Sequence, residues 1–395
     1  MCGIGGFCSF TRDYTSHPKV HSDLLVQMHK LQSHRGPDDQ GTYLSPHVGL
    51  SHARLSIIDL EGGHQPMVYS SNGRECVIVY NGELYNTKEL RQDLTLHGVL
   101  FETKSDTEVI LQSYLEYGAD FVTRLNGIFA FALWDQNAKR LLLYRDRSGI
   151  KPLFYSLQKD QLLFASEIKG ILAYPEVNAR LDRQGLNEIF SMGPARTNGC
   201  GVFQGIQEIL PGHFAIYNPN GFQSFCYWKL ESRPHTDSFE KTVEKTAWLV
   251  EDAVKKQMLS DIPISTFLSG GVDSSLVTSI CAAELKKQGK VLNTFSFDFK
   301  DNQKYFKSNS FQPSLDRPWV EKMVEYAGTN HRFLECDNMA QVDCLFKAVD
   351  ARDLPCMADV ESSMLYFCSQ VVEHNKVTLT GECADEIFGG YPWFH

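Results

Sequence analysis

The sequence predicts two folds in tandem: antiparallel sheets with helices packed outside them up to about residue 230, then a parallel, doubly wound sheet. Three observations lead there. At 395 residues the chain exceeds one ordinary domain. Short extended segments bounded by turn residues fill its first part. After residue 240 strand, loop and helix alternate, which is the pattern of a parallel sheet with ligands at the carboxyl ends of its strands.

In the first part, Val77-Ile78-Val79-Tyr80 predicts a strand running into the turn dipeptide Asn81-Gly82. Ile128 to Trp134 and Arg140 to Tyr144 flank Asp135-Gln136-Asn137-Ala138, a hairpin connection, and Leu153 to Tyr155 with Leu162 to Phe164 form a second pair. Two helices interrupt the strands. Ser22 to Leu31 places Leu24, Leu25, Met28 and Leu31 on one face, and Ser105-Asp106-Thr107-Glu108 is a capping box ahead of Val109, Ile110, Tyr114 and Leu115. In the second part, Ser265 to Leu268, Asn293 to Phe297, Arg332 to Leu334 and Val377 to Leu379 predict buried strands. Helices are expected at Leu276 to Leu285, Trp319 to Tyr326 and Ser362 to His374, and a mobile surface loop over Asp301 to Leu315.

Composition narrows the function. A hydrophobic fraction of 43% with 22% charged residues suits a globular protein with sizeable cores. The net charge of −10, with basic residues scattered, argues against nucleic acid or an anionic membrane as the main partner. No basic leader precedes an apolar run, and the strongest such run, Ile128 to Trp134, is far short of the ~20 residues a membrane span needs. The 11 cysteines are odd in number and show no CxxC pair, which argues against a disulfide framework or zinc cage and for a reducing cytoplasm.

Three constellations carry chemistry. Cys2 follows the initiator methionine. Removal of Met1 would leave an α-amine on the residue that bears the thiol, near enough to neutral in pKa to take the thiol proton. Arg54 offers a guanidinium fork for a carboxylate, Asn81-Gly82-Glu83 presents a side-chain amide beside a backbone N–H, and Asp106 in the first turn of a helix can pair with an ammonium group. Taken singly, these suit a surface ion pair, an ordinary turn and a helix-end residue. Ser269-Gly270-Gly271-Val272-Asp273-Ser274-Ser275, between a predicted strand and helix, has glycines for close backbone approach and helix N–H groups aimed at anions, but no P-loop lysine. Thr380-Gly381-Glu382-Cys383-Ala384-Asp385-Glu386 sets three carboxylates at a strand end, either as a solvated acidic turn or as a holder of Mg²⁺ and protons.

The segments Cys2-Gly3-Ile4, His34-Arg35-Gly36-Pro37-Asp38, Arg54-Leu55-Ser56-Ile57-Ile58-Asp59, Asn81-Gly82-Glu83 and Ser105-Asp106 resemble class II glutamine amidotransferases. The resemblance implies an α+β N-terminal-nucleophile (αββα) domain over residues 2–215, with Cys2 as nucleophile. Arg54, Glu83 and Asp106 would bind glutamine, and Asn81 and Gly82 would form the oxyanion hole. The SGGxDSS string resembles the loop of ATP-pyrophosphatases, and the acidic loop is similar to that of asparagine synthetases. A connecting segment, 216–238, would then lead to an α/β parallel-sheet ATP-pyrophosphatase (adenine nucleotide alpha hydrolase-like) domain over 239–395, truncated at its C-terminal end.

By this match Phe267, Ser269, Gly270, Gly271, Asp273, Ser274, Phe297, Thr380 and Gly381 would bind ATP. Asp273 and Asp385 would hold Mg²⁺, and Glu382 would serve adenylation and proton handling. Phe267 and Phe297 suit plain core aromatics equally well. The implied activity is glutamine-dependent amidation of aspartate through β-aspartyl-AMP, with ammonia passed along an internal channel that keeps it unprotonated. Two other activities fit the same halves: amidation of another carboxylate, or glutamine hydrolysis or binding alone. Glutamine, aspartate and ATP would be the partners of a cytoplasmic protein, and the family suggests a homodimer. Cys383 stands where the family often has glycine, and it would strain the loop if that position needs a left-handed backbone.

Overall fold

The structure is a computed structural model that describes residues 1–71, 73–309 and 312–391, without the side chain of Ser71. The chain forms two compact units, Met1–Ser232 with Arg352–Pro355, and Arg233–Ala351 with Cys356–His395.

Two six-stranded antiparallel sheets build the first unit. One orders its strands Ile206–Glu208, Phe154–Leu157, Leu162–Ala165, Gly3–Cys8, Val48–Arg54 and Asp39–Leu44. The other orders Gly221–Cys226, His213–Asn218, Arg140–Arg145, Gly127–Asp135, Arg74–Leu84 and Met67–Ser71. The central strands are buried on both faces, which is why they read as continuous apolar runs. In Gly127–Asp135, Phe129, Phe131 and Leu133 pack with Val109, Ile110 and Tyr114 of the helix Asp106–Tyr117. The alternate residues Ala130, Ala132 and Trp134 pack with Ile4, Val48 and Leu50 of the facing sheet. A third core sets Phe7 and Leu163 against Leu25 and Met28 of the helix Pro18–Leu31. The layers run helix, sheet, sheet, helix, the αββα architecture of an N-terminal-nucleophile domain.

Local details depart from expectation for physical reasons. The helix expected from Ser22 begins at Pro18, whose fixed φ and missing N–H suit a first turn. It buries His29, while Leu31 is exposed. Asn81-Gly82 is not a turn: the strand Arg74–Leu84 runs through both, paired with Ala130 and Phe129. The capping box is incomplete. Ser105 accepts from the Thr107 N–H at 3.1 Å, but Glu108 takes the N–H groups of Glu102 and Thr103 at 2.8 and 2.7 Å, satisfying the approach to the helix rather than its cap. The expected connector from residue 216 starts later, because Gly221–Cys226 pairs with His213–Asn218 as an edge strand.

The second unit holds a four-stranded parallel sheet in the order Asn330–Cys336, Asn293–Phe299, Ile264–Phe267 and Val377–Leu379. Strand order reverses at Ile264–Phe267, so the loops leaving it and Val377–Leu379 are neighbours at the switch point. The helix Val272–Lys287 buries Ser274, Thr278, Cys281 and Ala282, and Leu276 points outward. Thr278 Oγ1 lies 2.8 Å from Thr266 Oγ1, so small side chains bring this helix close to the sheet. Helices Phe239–Gln257 and Asn338–Arg352 were not anticipated, and the expected surface loop contains a helical turn at Asn302–Tyr305. Among the described residues no helix is long and apolar enough to cross a membrane.

Two positions carry measurable stability consequences. Cys383 has φ 69° and ψ 4°, the left-handed conformation that favours glycine. Cys383→Gly should therefore stabilise the second unit by about 1 kcal/mol in denaturant unfolding, and an unchanged midpoint would contradict that backbone. In the first unit His52 is fully buried, bonds through Nε2 to Tyr80 O at 3.0 Å, and is brought by burial from its ordinary 6.5 down to about 4. The folded state thus resists a proton that the unfolded state accepts below pH 6.5. Stability should fall by roughly 2–4 kcal/mol between pH 6.5 and 4. His52→Gln should flatten that slope in unfolding curves taken at several pH values.

Candidate active sites

The first site is built on a strand edge. The neighbour Met67–Ser71 pairs with Arg74–Leu84 only as far as Ile78. Beyond it the outward N–H of Tyr80 donates to Gln65 Oε1 at 2.6 Å, and that of Leu84 to Asp106 Oδ2 at 3.2 Å. The N–H of Gly82 lies between them on the same edge by the two-residue alternation of a strand. Phe129 opposite Gly82 spends its own N–H and carbonyl on Asp146. Gly82 is also required sterically, since a Cβ there would lie 2.4 Å from Ile128 O.

Beside this edge, Asn81 is buried and neither Oδ1 nor Nδ2 has a hydrogen-bond partner. Such an orphaned amide is costly unless a ligand or a reacting group satisfies it. Cys2 sits at the start of the facing sheet, whose strand pairs Gly3 with Ala53. Its Sγ accepts from the Leu55 N–H at 3.4 Å, and Arg35 Nε donates to its carbonyl at 2.9 Å. Burial pushes the Cys2 thiol up, while the Leu55 N–H works against that shift. The α-amine, on Met1 in this chain, is brought by burial to about 5 and is therefore neutral at pH 7.

Arg54 is buried and donates to three backbone carbonyls, of Ile58, Asp59 and Leu60, at 3.2, 2.6 and 3.0 Å. Gly63 leaves it room, because a Cβ there would lie 2.1 Å from Nη2. Asp106 accepts from Tyr80 Oη at 2.9 Å, and burial raises its carboxyl. Cys2, Arg54, Asn81, Gly82, Glu83 and Asp106 all line one cavity of about 50 Å³, and Met1 occupies part of its wall.

Sequence reasoning missed Gln65, Tyr80 and Lys151 in that wall. Lys151 is buried and lowered by desolvation, with Glu83 pulling the other way; burial in turn raises Glu83. The signal for Lys151 lay in Asp146, which accepts from the N–H groups of Ser148, Ile150 and Lys151 at 3.1, 3.0 and 3.0 Å and so folds the loop that delivers it.

In the second unit the Ser269 loop and the Thr380 loop meet. A Cβ on Gly381 would lie 2.8 Å from both Asp273 Cβ and Ser274 N. Gly270 has φ 82°, and a Cβ on it would lie 2.6 Å from Trp319 Cβ. Ser274 Oγ lies 3.0 Å from Ser269 Oγ and accepts from the Ser269 N–H at 3.2 Å, closing the loop on itself. Gly271 caps the helix Val272–Lys287 without a side chain, leaving its first N–H groups for another acceptor. Burial and the nearby Asp385 charge raise the Asp273 carboxyl, so these two carboxylates repel. Glu382 is exposed, and its N–H donates to Thr380 Oγ1 at 3.2 Å.

A separate cavity of about 330 Å³ is lined by Phe267, Ser269 and Phe297, and also by Leu268, Asp298 and Arg317, which no sequence signal marked. Gly270, Gly271, Asp273, Ser274, Thr380, Gly381 and Asp385 are not in its lining. The Phe267 and Phe297 rings pack edge to face at 4.7 Å, and Phe297 stacks on Phe367 at 4.3 Å; both are only half-buried, walls of this cavity rather than members of the core.

The sequence is similar to known proteins over both units. Residues 1–228 match the glutamine amidotransferase domain family, and residues 245–395 match the asparagine synthase family. The chain is 49% identical over 396 residues to asparagine synthetase 3 (glutamine-hydrolysing) of Bacillus subtilis, covering 100% of this chain and 64% of that one. It is 33% identical over 394 residues to asparagine synthetase 1 of the same organism, covering 97% and 59%, and 31% identical over 417 residues to amidase chry2 of Gibberella zeae, covering 100% and 60%. It thus spans less than two thirds of the length of each of these relatives. The chain belongs to the family of glutamine-hydrolysing asparagine synthetases.

Proposed function

We propose that the chain hydrolyses glutamine at Cys2 and uses the ammonia to amidate aspartate activated by ATP. The observation that carries the first half is the buried, unpartnered Asn81 amide in the same cavity as the Cys2 thiol. With Met1 removed, the Cys2 amine takes the thiol proton and Sγ attacks the glutamine amide carbon. The oxyanion is met by Asn81 Nδ2 and the Gly82 N–H. The amine returns its proton to the leaving ammonia, and water then cleaves the thioester to glutamate. Arg54 holds the glutamine carboxylate, with Asp106 and Glu83 toward its ammonium group.

In the second half, the aspartate β-carboxylate attacks the α-phosphorus of ATP, giving β-aspartyl-AMP and pyrophosphate. Ammonia then displaces AMP to leave asparagine. The N–H groups of Gly271 and the first helical turn suit the phosphates, Ser269, Ser274, Thr380 and Gly381 suit the nucleotide, and Phe267 and Phe297 suit the adenosine. The repelling pair Asp273 and Asp385 fits a divalent cation, because Mg²⁺ is commonly held by one or two carboxylates together with substrate phosphates. Such an ion would neutralise charge on the departing pyrophosphate. Glu382 is the base for the attacking ammonia.

The second reading is amidation of another carboxylate. Screening carboxylates for ATP-dependent pyrophosphate release separates the two, and aspartate should give the fastest release.

Two outcomes test the glutamine half. Cys2→Ala should abolish glutamate release while ATP binding and ammonia-driven pyrophosphate release stay at the wild-type level; equal loss of all three contradicts the division of labour. Asn81→Ala should lower kcat for glutamine roughly 10²- to 10³-fold with little change in KM. A rise in KM alone would reassign Asn81 to ground-state binding.

A further inference from the structure

A line of charges reaches the main chain of Cys2, and none of its members lines the cavity beside the thiol. Arg35, which donates through Nε to the Cys2 carbonyl at 2.9 Å, donates through Nη1 to Glu167 Oε1, also at 2.9 Å. Its Nη2 is buried without a partner, so those two bonds fix the plane of the guanidinium. Glu167 Oε2 takes Lys169 Nζ at 2.7 Å. Lys169 then meets Asp353 twice: Nζ lies 3.0 Å from one carboxylate oxygen, and the Lys169 backbone N–H donates to the other at 2.9 Å. The side chains of Arg35, Glu167 and Asp353 are 9%, 10% and 9% exposed, so these bonds are shielded from water and salt.

The sign alternates along the line: Arg35, Glu167, Lys169, Asp353. Burial alone would raise Glu167, yet His34, Lys169 and Arg35 together bring its carboxyl down to about 2, which keeps it charged under all ordinary conditions. Asp353 adopts φ 64°, a backbone that a non-glycine residue keeps only where its surroundings hold it. It belongs to Arg352–Pro355, a segment that packs into the first unit although the chain on both sides of it belongs to the second. Neither Lys169 nor Asp353 lines the glutamine cavity.

We propose that Lys169 and Asp353 are positioning residues for glutamine hydrolysis: through Glu167 and Arg35 they fix the carbonyl of Cys2, so the Arg352–Pro355 segment sets how firmly the nucleophile is held. The inference rests on the reading of Cys2 as the nucleophile. It gives the second half of the sequence a covalent handle on the first reaction, because any movement of Arg352–Pro355 is passed through ion pairs to the residue that attacks.

The test uses the whole chain with Asp353→Asn, Lys169→Gln, the conservative Asp353→Glu and the double variant. Glutamate release is measured as kcat and KM, and the alkylation rate of Cys2 by iodoacetamide is followed by mass spectrometry of its peptide. Asp353→Asn and Lys169→Gln should each lower kcat roughly 10- to 100-fold, the scale of a misplaced reacting group, with KM little changed. Cys2 alkylation should change in both, Asp353→Glu should recover most of the rate, and the double variant should lose no more than the worse single. Wild-type kcat and alkylation in both single variants would overturn the proposal. So would a loss that only tracks lowered thermal stability and is not rescued by Asp353→Glu. If Asp353→Asn does not fold, Lys169→Gln carries the same comparison. A wild-type chain that alkylates at Cys2 but releases no glutamate would sink the assigned reaction instead, and the alkylation rates would still decide the link.

Discussion

The proposed glutamine site depends on a strand that outlives its neighbour. Arg74–Leu84 is eleven residues long, and Met67–Ser71 covers only its first half on that side. A strand edge inside a protein must find partners for its N–H and C=O groups. Here the edge is closed at Tyr80 by Gln65 and His52, and at Leu84 by Asp106. Between them the Gly82 N–H and the Asn81 amide face the thiol cavity. In the proposed reaction, the same edge that would invite another strand becomes a place for a substrate oxygen. Preorganised donors of this kind need no rearrangement as charge develops, which is where their catalytic value lies.

The second site is organised by repulsion rather than by unmet donors. At the switch point of the parallel sheet, Gly381 comes so close to Asp273 and Ser274 that only glycine fits, and Asp385 stands near enough to raise the Asp273 carboxyl. Like charges brought together at a strand end are unfavourable until a cation or proton intervenes. The fold thus supplies two different incomplete environments, one lacking an acceptor and the other lacking positive charge. In the proposed cycle glutamine completes the first and a metal-bound nucleotide the second.

Much of this was legible because the signals are short and local. The central strands could be read as apolar runs since both their faces are covered, and SGGVDSS could be placed because a strand and a helix flank it. What escaped depended on partners distant in sequence. Asn81-Gly82 has turn composition, yet pairing with Ala130 and Phe129 keeps it extended. Glu108 has capping-box spacing, yet the N–H groups of Glu102 and Thr103 compete for it. Lys151 enters the cavity beside the Cys2 thiol through a loop folded by Asp146, and Asp353 reaches Lys169 across 184 residues. Cys383 was the reverse case: its strain could be anticipated from the residue type, and its φ of 69° bears that out.

The nucleophile proposed at the second residue poses a mechanical problem that the structure answers in a consistent way. An internal residue is held by chain on both sides, whereas Cys2, once Met1 is gone, is tethered only through Gly3. Loose placement of a reacting atom by even an ångström is expensive in rate, so the missing backbone must be replaced by lateral bonds. Three do this: the Leu55 N–H to the thiol, Arg35 to the carbonyl, and the pairing of Gly3 with Ala53. Of these, two come from the strand Val48–Arg54 and the residue that follows it, which the two sheets already fix. The third, Arg35, is the one whose own support extends outward, through Glu167 and Lys169 to Asp353. A terminal nucleophile gains its own base by lying at the chain's end, and by the same fact it becomes sensitive to whatever anchors its one remaining neighbour.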